Sequence, residues 1–496
     1  MKDYTIQELK EVHAKYSNNI KQWKLYMAVY KGLQAIIKGG YILKHEREPQ
    51  TAYERRINDL YNFGYSKSVV KIFNFHLFNS PPQGRELTEL ESNDIWKLFF
   101  KDADLNGTSY DQTISNLALN ASIQGHMGIL VDKSTKKYET IQEQKAAGVY
   151  PYIAAYHPPA ILDWEFKKDE NHRPYLSMVK LLDDDGQYRI WTITEWAVFQ
   201  IPEGSEKNLS AKAKVVASGP NILKEIPFFW YYNIQTDERA IGESDLSEIA
   251  TIELSIIKNM SQIEEIINFA AFPMMLKPRL SAKPSAVAQV SQEDEVSVQA
   301  VIEFDPEFPE SAPKWLQPAV AEAIESILDT VAKKIAEIYR ASNVGGLAST
   351  EVQTQAKSGI ALKTEFQLLN STLVSKAINT EDSENKILRL WMKWEKVYDK
   401  LKDTVHMGRS KSFDVQEIAI DLANALTAKT IIFSNKFHGL LQKQLSRQML
   451  PSMSEQEKKE IDQEIETNLN TTSSFEDPLN DVDDQDKDIL ENGMKE

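Results

Sequence analysis

The chain has 496 residues, 42% of them hydrophobic and 26% charged, enough for a large core and two to four domains. It has no cysteine, which excludes disulfides and thiolate metal sites and fits a reducing cytosol. Its formal net charge of −16 argues against a protein that grips nucleic acid by neutralising phosphates.

Met1 to Lys10 is charged and helix-like, without the apolar stretch of a secretory signal. Asp3 to Gly39 has helical periodicity and ends on Gly39-Gly40. Thr51 to Phe78 is a second helical stretch, stopped by Pro81-Pro82. Ser92 to Phe100 reads as a short helix with Ser92 as its N-cap, and Ser109 to Gly125 as a helix running into a short apolar strand, Gly128 to Asp132. Strands follow at Tyr152 to His157, Ala160 to Phe166, Tyr175 to Asp183, Tyr188 to Thr194 and Trp196 to Ile201. Asp183-Asp184-Asp185-Gly186 is a hairpin turn between two of them.

The pattern changes at Gly242. Ser244 to Phe269 reads as a long helix whose apolar stripe is Ile249, Ile252, Ile256, Met260, Ile263 and Ile267. The apolar run Ile266 to Leu276 contains Pro273 and is too short for a membrane span, so no membrane is expected. Phe272 to Pro313 is proline-rich, with a strand at Val296 to Asp305. Pro318 opens a second long helix, to Arg340, striped by Val320, Ile324, Ile327, Val331, Ile335 and Ile338. A loop with Gly345-Gly346 leads to a longer helix, about Glu351 to Lys402, with a break expected near Asn379. Asp414 to Asn470 is helical and polar, broken at Pro451. Ser474 to Glu496 has nine acidic residues against Lys487 and Lys495; it contributes −7 of the −16 and reads as a disordered tail. The fold class is therefore α+β, predominantly helical.

Sequence motifs for chemistry are scarce. There is no G-x-x-x-x-G-K-[ST] phosphate loop and no G-x-S-x-G nucleophile elbow. Asp102-Ala103-Asp104-Leu105-Asn106-Gly107 imitates the start of a calcium loop, but its twelfth position is Thr113 rather than a bidentate Glu. It reads as a turn, with Thr108 or Ser109 capping the next helix. The eight histidines are scattered, with no His-x-x-x-His pair for zinc. No catalytic, cofactor-binding or metal residue is assigned. Acid–base chemistry by carboxylates far apart in the sequence stays open.

Three segments in order carry a resemblance. They are "QGHMGILVD" leading into "PYIAAYHPPAILDW", "GESDLSEI" from Gly242 to Ile249, and "SGIALK" from Ser358 to Lys363. With the order of the elements they resemble the portal proteins of tailed bacteriophages, over nearly the whole chain. The resemblance implies an α/β wing at 1–241, stem helices at 242–270 and 317–341, and a small α/β clip at 271–316 between them. It further implies a tunnel loop at 342–357, a long wing helix at 358–412, a helical crown at 413–472 and the acidic tail at 473–496. It implies a homo-oligomeric ring, usually a dodecamer, at one capsid vertex of the virion, assembled in the host cytoplasm. Double-stranded DNA would pass through without sequence specificity. The terminase large subunit, major capsid or scaffolding protein and a head–tail adaptor would be partners. In this reading Asn343, Val344, Gly345, Gly346, Leu347, Ser349 and Thr350 line the channel. Lys277, Arg279 and Lys283 make basic contacts at the clip, and Lys333, Lys334 and Lys357 face the channel. No cofactor and no enzymatic activity are expected. The competing readings are another capsid-assembly or head–tail component without a DNA channel, and a soluble enzyme with dispersed site residues.

Overall fold

The computed structural model describes residues 3–46, 48–79, 85–134, 140–205, 208–271, 274–276, 314–316, 320–344, 359–411, 413, 436, 439–443, 446 and 455–471. The N-terminal helices are α1 (Ile6–Lys10), α2 (Ala14–Lys31), α3 (Leu33–Lys38), α4 (Gln50–Asn58), α5 (Tyr65–Phe78), α6 (Thr88–Glu91), α7 (Asp94–Lys101) and α8 (Tyr110–Gln124). The helix expected over Asp3 to Gly39 is thus three helices. The His13 side chain accepts from Lys15 N–H (3.1 Å) and caps α2, and Gly32 at φ 93° ends it. Thr51 to Phe78 divides into α4 and α5. The N-cap of α7 is Asn93 rather than Ser92, because the Asn93 carboxamide accepts from Ile95 N–H at 2.9 Å while Ser92 closes α6.

Strand β1 (His126–Asp132), helix α9 (Ile141–Ala146) and strand β2 (Tyr152–Tyr156) follow. Next come β3 (Ile161–Lys168), β4 (Pro174–Leu182), β5 (Tyr188–Thr192), β6 (Glu195–Gln200), β7 (Lys214–Pro220), β8 (Phe228–Tyr232), β9 (Ile234–Gln235) and β10 (Gly242–Glu243). Strands β3 to β7 form an antiparallel meander in chain order, and β2-β1-β8 a separate three-stranded sheet. The β4–β5 turn forms as expected, with Gly186 at φ 78° donating to Asp183 O (2.9 Å). Among the unexpected strands are β7, which is exposed along most of its length, and β8, whose run Phe-Phe-Trp-Tyr-Tyr has no alternation to mark it.

Both sheets and α2 share one core. Trp23, Leu130, Tyr156, Trp164, Val179, Trp191, Phe228 and Trp230 are buried together. The period of two sends Ile190, Ala197 and Phe199 to the opposite face of the meander, where Leu9 of α1 covers them. Lys180, between the inward Val179 and Leu181, points to that second face. Its ammonium donates to Glu8 O (2.8 Å) and Glu11 O (2.6 Å), closing the C-terminal end of α1.

Helix α10 (Ile249–Ala271) and α11 (Ala321–Ala341) pack on each other. A two-stranded antiparallel ribbon joins their distal ends, β11 (Met274–Leu276) with β12 (Lys314–Leu316), in the register Met274↔Leu316. At 23 and 21 residues the helices span roughly 35 and 32 Å. Five residues separate the observed start of α10 from the expected Ser244, for a reason given below. Pro318 and Val296 to Asp305 lie outside the described residues. The helix Gly359–Trp394 is unbroken across Asn379, contrary to the expected interruption, and Tyr398–Leu401 is a separate turn of helix.

The chain divides into two compact units, one of Met1–Leu77 with Gln83–Ser412 and one of Phe78–Pro82 with Phe413–Glu496. In the second unit Glu455–Thr471 is a polar helix, as expected there, and Lys443 pairs with Glu466 at 2.6 Å. The tail 473–496 lies outside the described residues.

Candidate functional site

Two of the three segments that carried the resemblance meet at the root of α10. Gly125 ends α8 at φ 92°, and its carbonyl accepts from Asn233 N–H at 2.9 Å. Gly242 lies directly against it. A Cβ on Gly125 would stand 2.2 Å from Gly242 O, and one on Gly242 would stand 2.2 Å from Gly125 O. Only two residues without side chains permit this approach. Gly242 N–H donates to His126 Nδ1 at 3.3 Å. The next residues stay out of the helix because Ser244 is used as a clasp. Its hydroxyl donates to Ile123 O (2.5 Å) and accepts from Leu246 N–H (2.9 Å). Asp245 N–H donates to Ser122 O at 3.0 Å. Gly242, Ser244 and Asp245 are thus committed to the end of α8 before α10 begins.

The helix Gly359–Trp394, at whose start Ser358 to Lys363 falls, supplies the third part. Lys376 is buried, and its Nζ donates to Asp245 Oδ1 (2.8 Å) and Oδ2 (2.7 Å) and to Asn233 Oδ1. The ammonium also lies 4.8 Å from the centre of the Phe73 ring. Asn233 Nδ2 donates to Asp245 Oδ1 (2.9 Å) and Glu243 O (3.0 Å), and Asn379 Nδ2 donates to Asn233 O (2.9 Å). Burial pushes the Lys376 pKa down, against the opposing pull of Asp245. A cleft lined by Phe73, Asn74, Ala118, Ser122, Tyr231 and Lys376 reaches this point. A lysine at the back of a cleft suggests a nucleophile, but its donors are committed to the carboxylate and the carboxamide. The arrangement is a fastening of α10 to the α/β body.

The same face of the long helix continues downward. Thr380 Oγ1 and Tyr231 Oη share a hydrogen bond of 2.6 Å. Glu384, fully buried, accepts from Arg409 Nε (2.5 Å) and Arg85 Nη2 (3.1 Å), and Arg85 also reaches Asp111 at 2.5 Å. Residues 376, 380 and 384 are spaced by four, so one buried polar stripe grips the segment leading into α10, then β8 and, through Arg85, α8.

No family model and no curated protein matches this sequence. Among solved structures, the chain is similar to one in the virion of a native gene transfer agent particle. The TM-score is 0.43 at 11% identity, covering 83% of this chain and 98% of that one. A chain in the neck of the empty particle with C6 symmetry gives 0.43 at 9% identity, covering 80% and 94%. One in the neck of the native particle with C12 symmetry gives 0.42 at 9%, covering 76% and 89%. Likeness at this level carries no argument about function.

The residues assigned to a channel divide three ways. Gly345, Gly346, Leu347, Ser349, Thr350, Lys357, Lys277, Arg279 and Lys283 lie outside the described residues. Asn343 and Val344, the described part of the expected tunnel-loop lining, close α11. Asn343 adopts φ 56° and donates to Arg340 O (3.2 Å), while Val344 N–H donates to Tyr339 O (3.1 Å) and its side chain is buried. Lys334 turns toward α10 and donates to Ser255 Oγ at 2.7 Å, so it is not free to face a channel. Lys333 is exposed and pairs with Asp329 at 2.8 Å. In the turn 102–107, Asp102 Oδ1 accepts from Gly107 N–H (2.9 Å) and Asp104 Oδ1 from Asn106 N–H (3.0 Å). Ser109, not Thr108, caps α8. Among the described residues no cluster of three or more His, Asp or Glu is placed to hold a metal. No described helix is long and apolar enough to cross a membrane.

Lys376, Asp245 and Glu384 were not singled out in the sequence, and His126, there one of eight scattered histidines, is a buried structural residue. Its burial beside Trp23, whose ring centroid is 5.5 Å away, pushes its pKa down to about 3. The unfolded chain takes up this proton near pH 6.5, the folded protein only near 3. Stability from this group is therefore complete above pH 6.5 and falls as the pH drops toward 3. His126→Asn keeps an acceptor for Gly242 N–H and removes the titration. Urea midpoints at about pH 7.5 and 5 should differ less in the variant than in the native protein.

Proposed function

We propose that this chain is the portal subunit of a tailed phage or phage-like particle. It is a structural, non-enzymatic protein whose copies close into a ring around a DNA channel at one capsid vertex. The observation that carries this reading is the α10–α11 hairpin. It arises from the α/β body, is pinned there by Lys376 and Asp245, and closes distally in the β11–β12 ribbon. One chain leaves its apolar stripe incompletely covered. Ile267 of the α10 stripe is 44% exposed, Ile324 and Ile327 of the α11 stripe are only partly buried, and Leu328 beside them is 47% exposed. A helix with an unfilled apolar stripe needs a partner. A hairpin of this kind meeting a different face of the next copy gives a head-to-tail contact, which closes as a ring. The order of wing, stem helix, clip, stem helix and long wing helix supports the same reading. In it, the partners are the terminase large subunit, a scaffolding or major capsid protein, a head–tail adaptor and duplex DNA. The protein resides in the virion after assembly in the host cytoplasm.

Purified protein is expected to form closed rings with a central opening in negative stain, of one or several subunit numbers. Ile267→Glu with Leu328→Glu should shift mass photometry toward monomer while leaving the circular dichroism of the chain unchanged. Native protein that stays monomeric at micromolar concentration, with no rings on the grid, would overturn the assignment.

A further inference from the structure

Residues 14–44 contain six lysines and no aspartate or glutamate, in a chain where acidic residues outnumber basic ones 73 to 57. Lys15 pairs with Glu238 at 3.3 Å and Lys44 donates to Gln50 at 3.1 Å. The other four, Lys21, Lys24, Lys31 and Lys38, are exposed, and among the described residues none has a carboxylate within ion-pair distance. Lys21, Lys24 and Lys31 are spaced by three and seven, which puts them along one side of α2 over roughly 15 Å. Lys38 continues the positive charge on α3. The exposed residues around them, Ser17, Asn18, Gln22 and Gln34, are neutral hydrogen-bond donors. Other exposed lysines are paired with acids, Lys97 and Lys145 with Asp94, Lys167 with Glu165 and Lys212 with Asp3, while among the described residues Lys67, Lys71, Lys101, Lys168, Lys214 and Lys258 stand singly on other elements.

We propose that the outer face of α2 and α3 is a contact surface for the phosphate backbone of a double-stranded nucleic acid. Two observations choose this partner over others. The first is the absence of an apolar anchor. Of the large hydrophobic side chains, Val12 and Leu43 are exposed at the flanks and none is exposed between them. A protein-docking face carries an aromatic or aliphatic centre, and this one has only lysines and amides. The second is the placement of the rings. Trp23 and Tyr26 are buried and Tyr16 and Tyr30 half-buried, so the face offers no platform for unpaired bases and can read only a backbone. The net charge of −16 does not prevent such a contact. At physiological salt the Debye length is about 8 Å, so acids beyond it are largely screened and the local surface decides. This inference goes beyond the ring reading and stands without it.

The test is fluorescence anisotropy of a random-sequence DNA duplex of about 30 base pairs titrated with the full chain. Four neutralised phosphates predict a slope of about −3.6 for log K against log salt. That is roughly a hundredfold weakening between about 50 and 200 mM. The variant Lys21→Gln/Lys24→Gln/Lys31→Gln/Lys38→Gln should lose at least about tenfold in affinity at 50 mM, with a slope near zero. A control with Lys97, Lys145, Lys167 and Lys212 changed to Gln should retain the native slope. All eight positions carry surface side chains, and circular dichroism checks that both variants fold. Equal duplex binding by the four-lysine variant and the native chain overturns the proposal. So does native protein that binds poly-L-glutamate through these lysines and not the duplex, which would make the face a dock for an acidic protein. Rings are scored separately on the same variant, so failure here is distinguishable from failure of the portal reading.

Discussion

Replacing Lys376 with methionine is expected to destabilise the protein by about 3–5 kcal/mol, because it leaves Asp245 buried without its cation. Both side chains are about 5% exposed or less. Asp245→Asn should cost a similar amount, since the ammonium is then the buried, uncompensated group. The double variant Lys376→Met/Asp245→Asn should lose clearly less than the two single losses added together. A coupling of this sign in a double-mutant cycle, read from urea unfolding midpoints, is the signature of the fastening. If the two losses add, the pair is incidental and α10 is held by its apolar contacts. The fastening also joins parts distant in sequence, because Lys376 is on the long helix and Asp245 at the foot of the hairpin. On the proposed ring reading, loosening it should broaden the distribution of ring sizes as well as lower the midpoint.

Gly125→Ala should be comparably damaging. The new Cβ would meet Gly242 O at 2.2 Å, and the backbone at φ 92° is one that side chains resist. The conformational cost is about 1–2 kcal/mol. The overlap adds about 1–3 kcal/mol, because both walls are backbone and cannot rotate away. Gly242→Ala carries the overlap without the dihedral cost and should fall between Gly125→Ala and the native protein. Soluble yield and the urea midpoint would show this order. Equal stability of all three proteins would mean that the α8 and β10 ends separate freely, and that the root of the hairpin is not a rigid joint.

Much of the architecture was legible in the sequence because it rests on local periodicity. The alternation in Ile161–Lys168, Pro174–Leu182 and Tyr188–Thr192, with Asp183 to Gly186 between the last two, specifies a meander whoever reads it. The stripe Val320 to Ile338 specifies an amphipathic helix, and its positions are all buried or half-buried. Glycine at 125 and 242 marked the two turns, though not that they touch. What only the tertiary structure decided is the meaning of polar residues. Lys376, Thr380 and Glu384 recur every four residues on a helix, which in sequence is the pattern of a solvated face. In the fold it is the most deeply buried face of that helix, because Asp245, Tyr231, Arg409 and Arg85 arrive from four other segments to satisfy it. Lys333 and Lys334 show the same limit in miniature: they are neighbours, one in water against Asp329 and one turned to Ser255. Asn343 and Val344 look like loop residues until the left-handed turn that ends α11 buries the valine. A polar side chain carries no periodic record of its partner. Where the partner is more than a hundred residues away, as Asp245 is from Lys376, burial and pairing are properties of the packed chain alone.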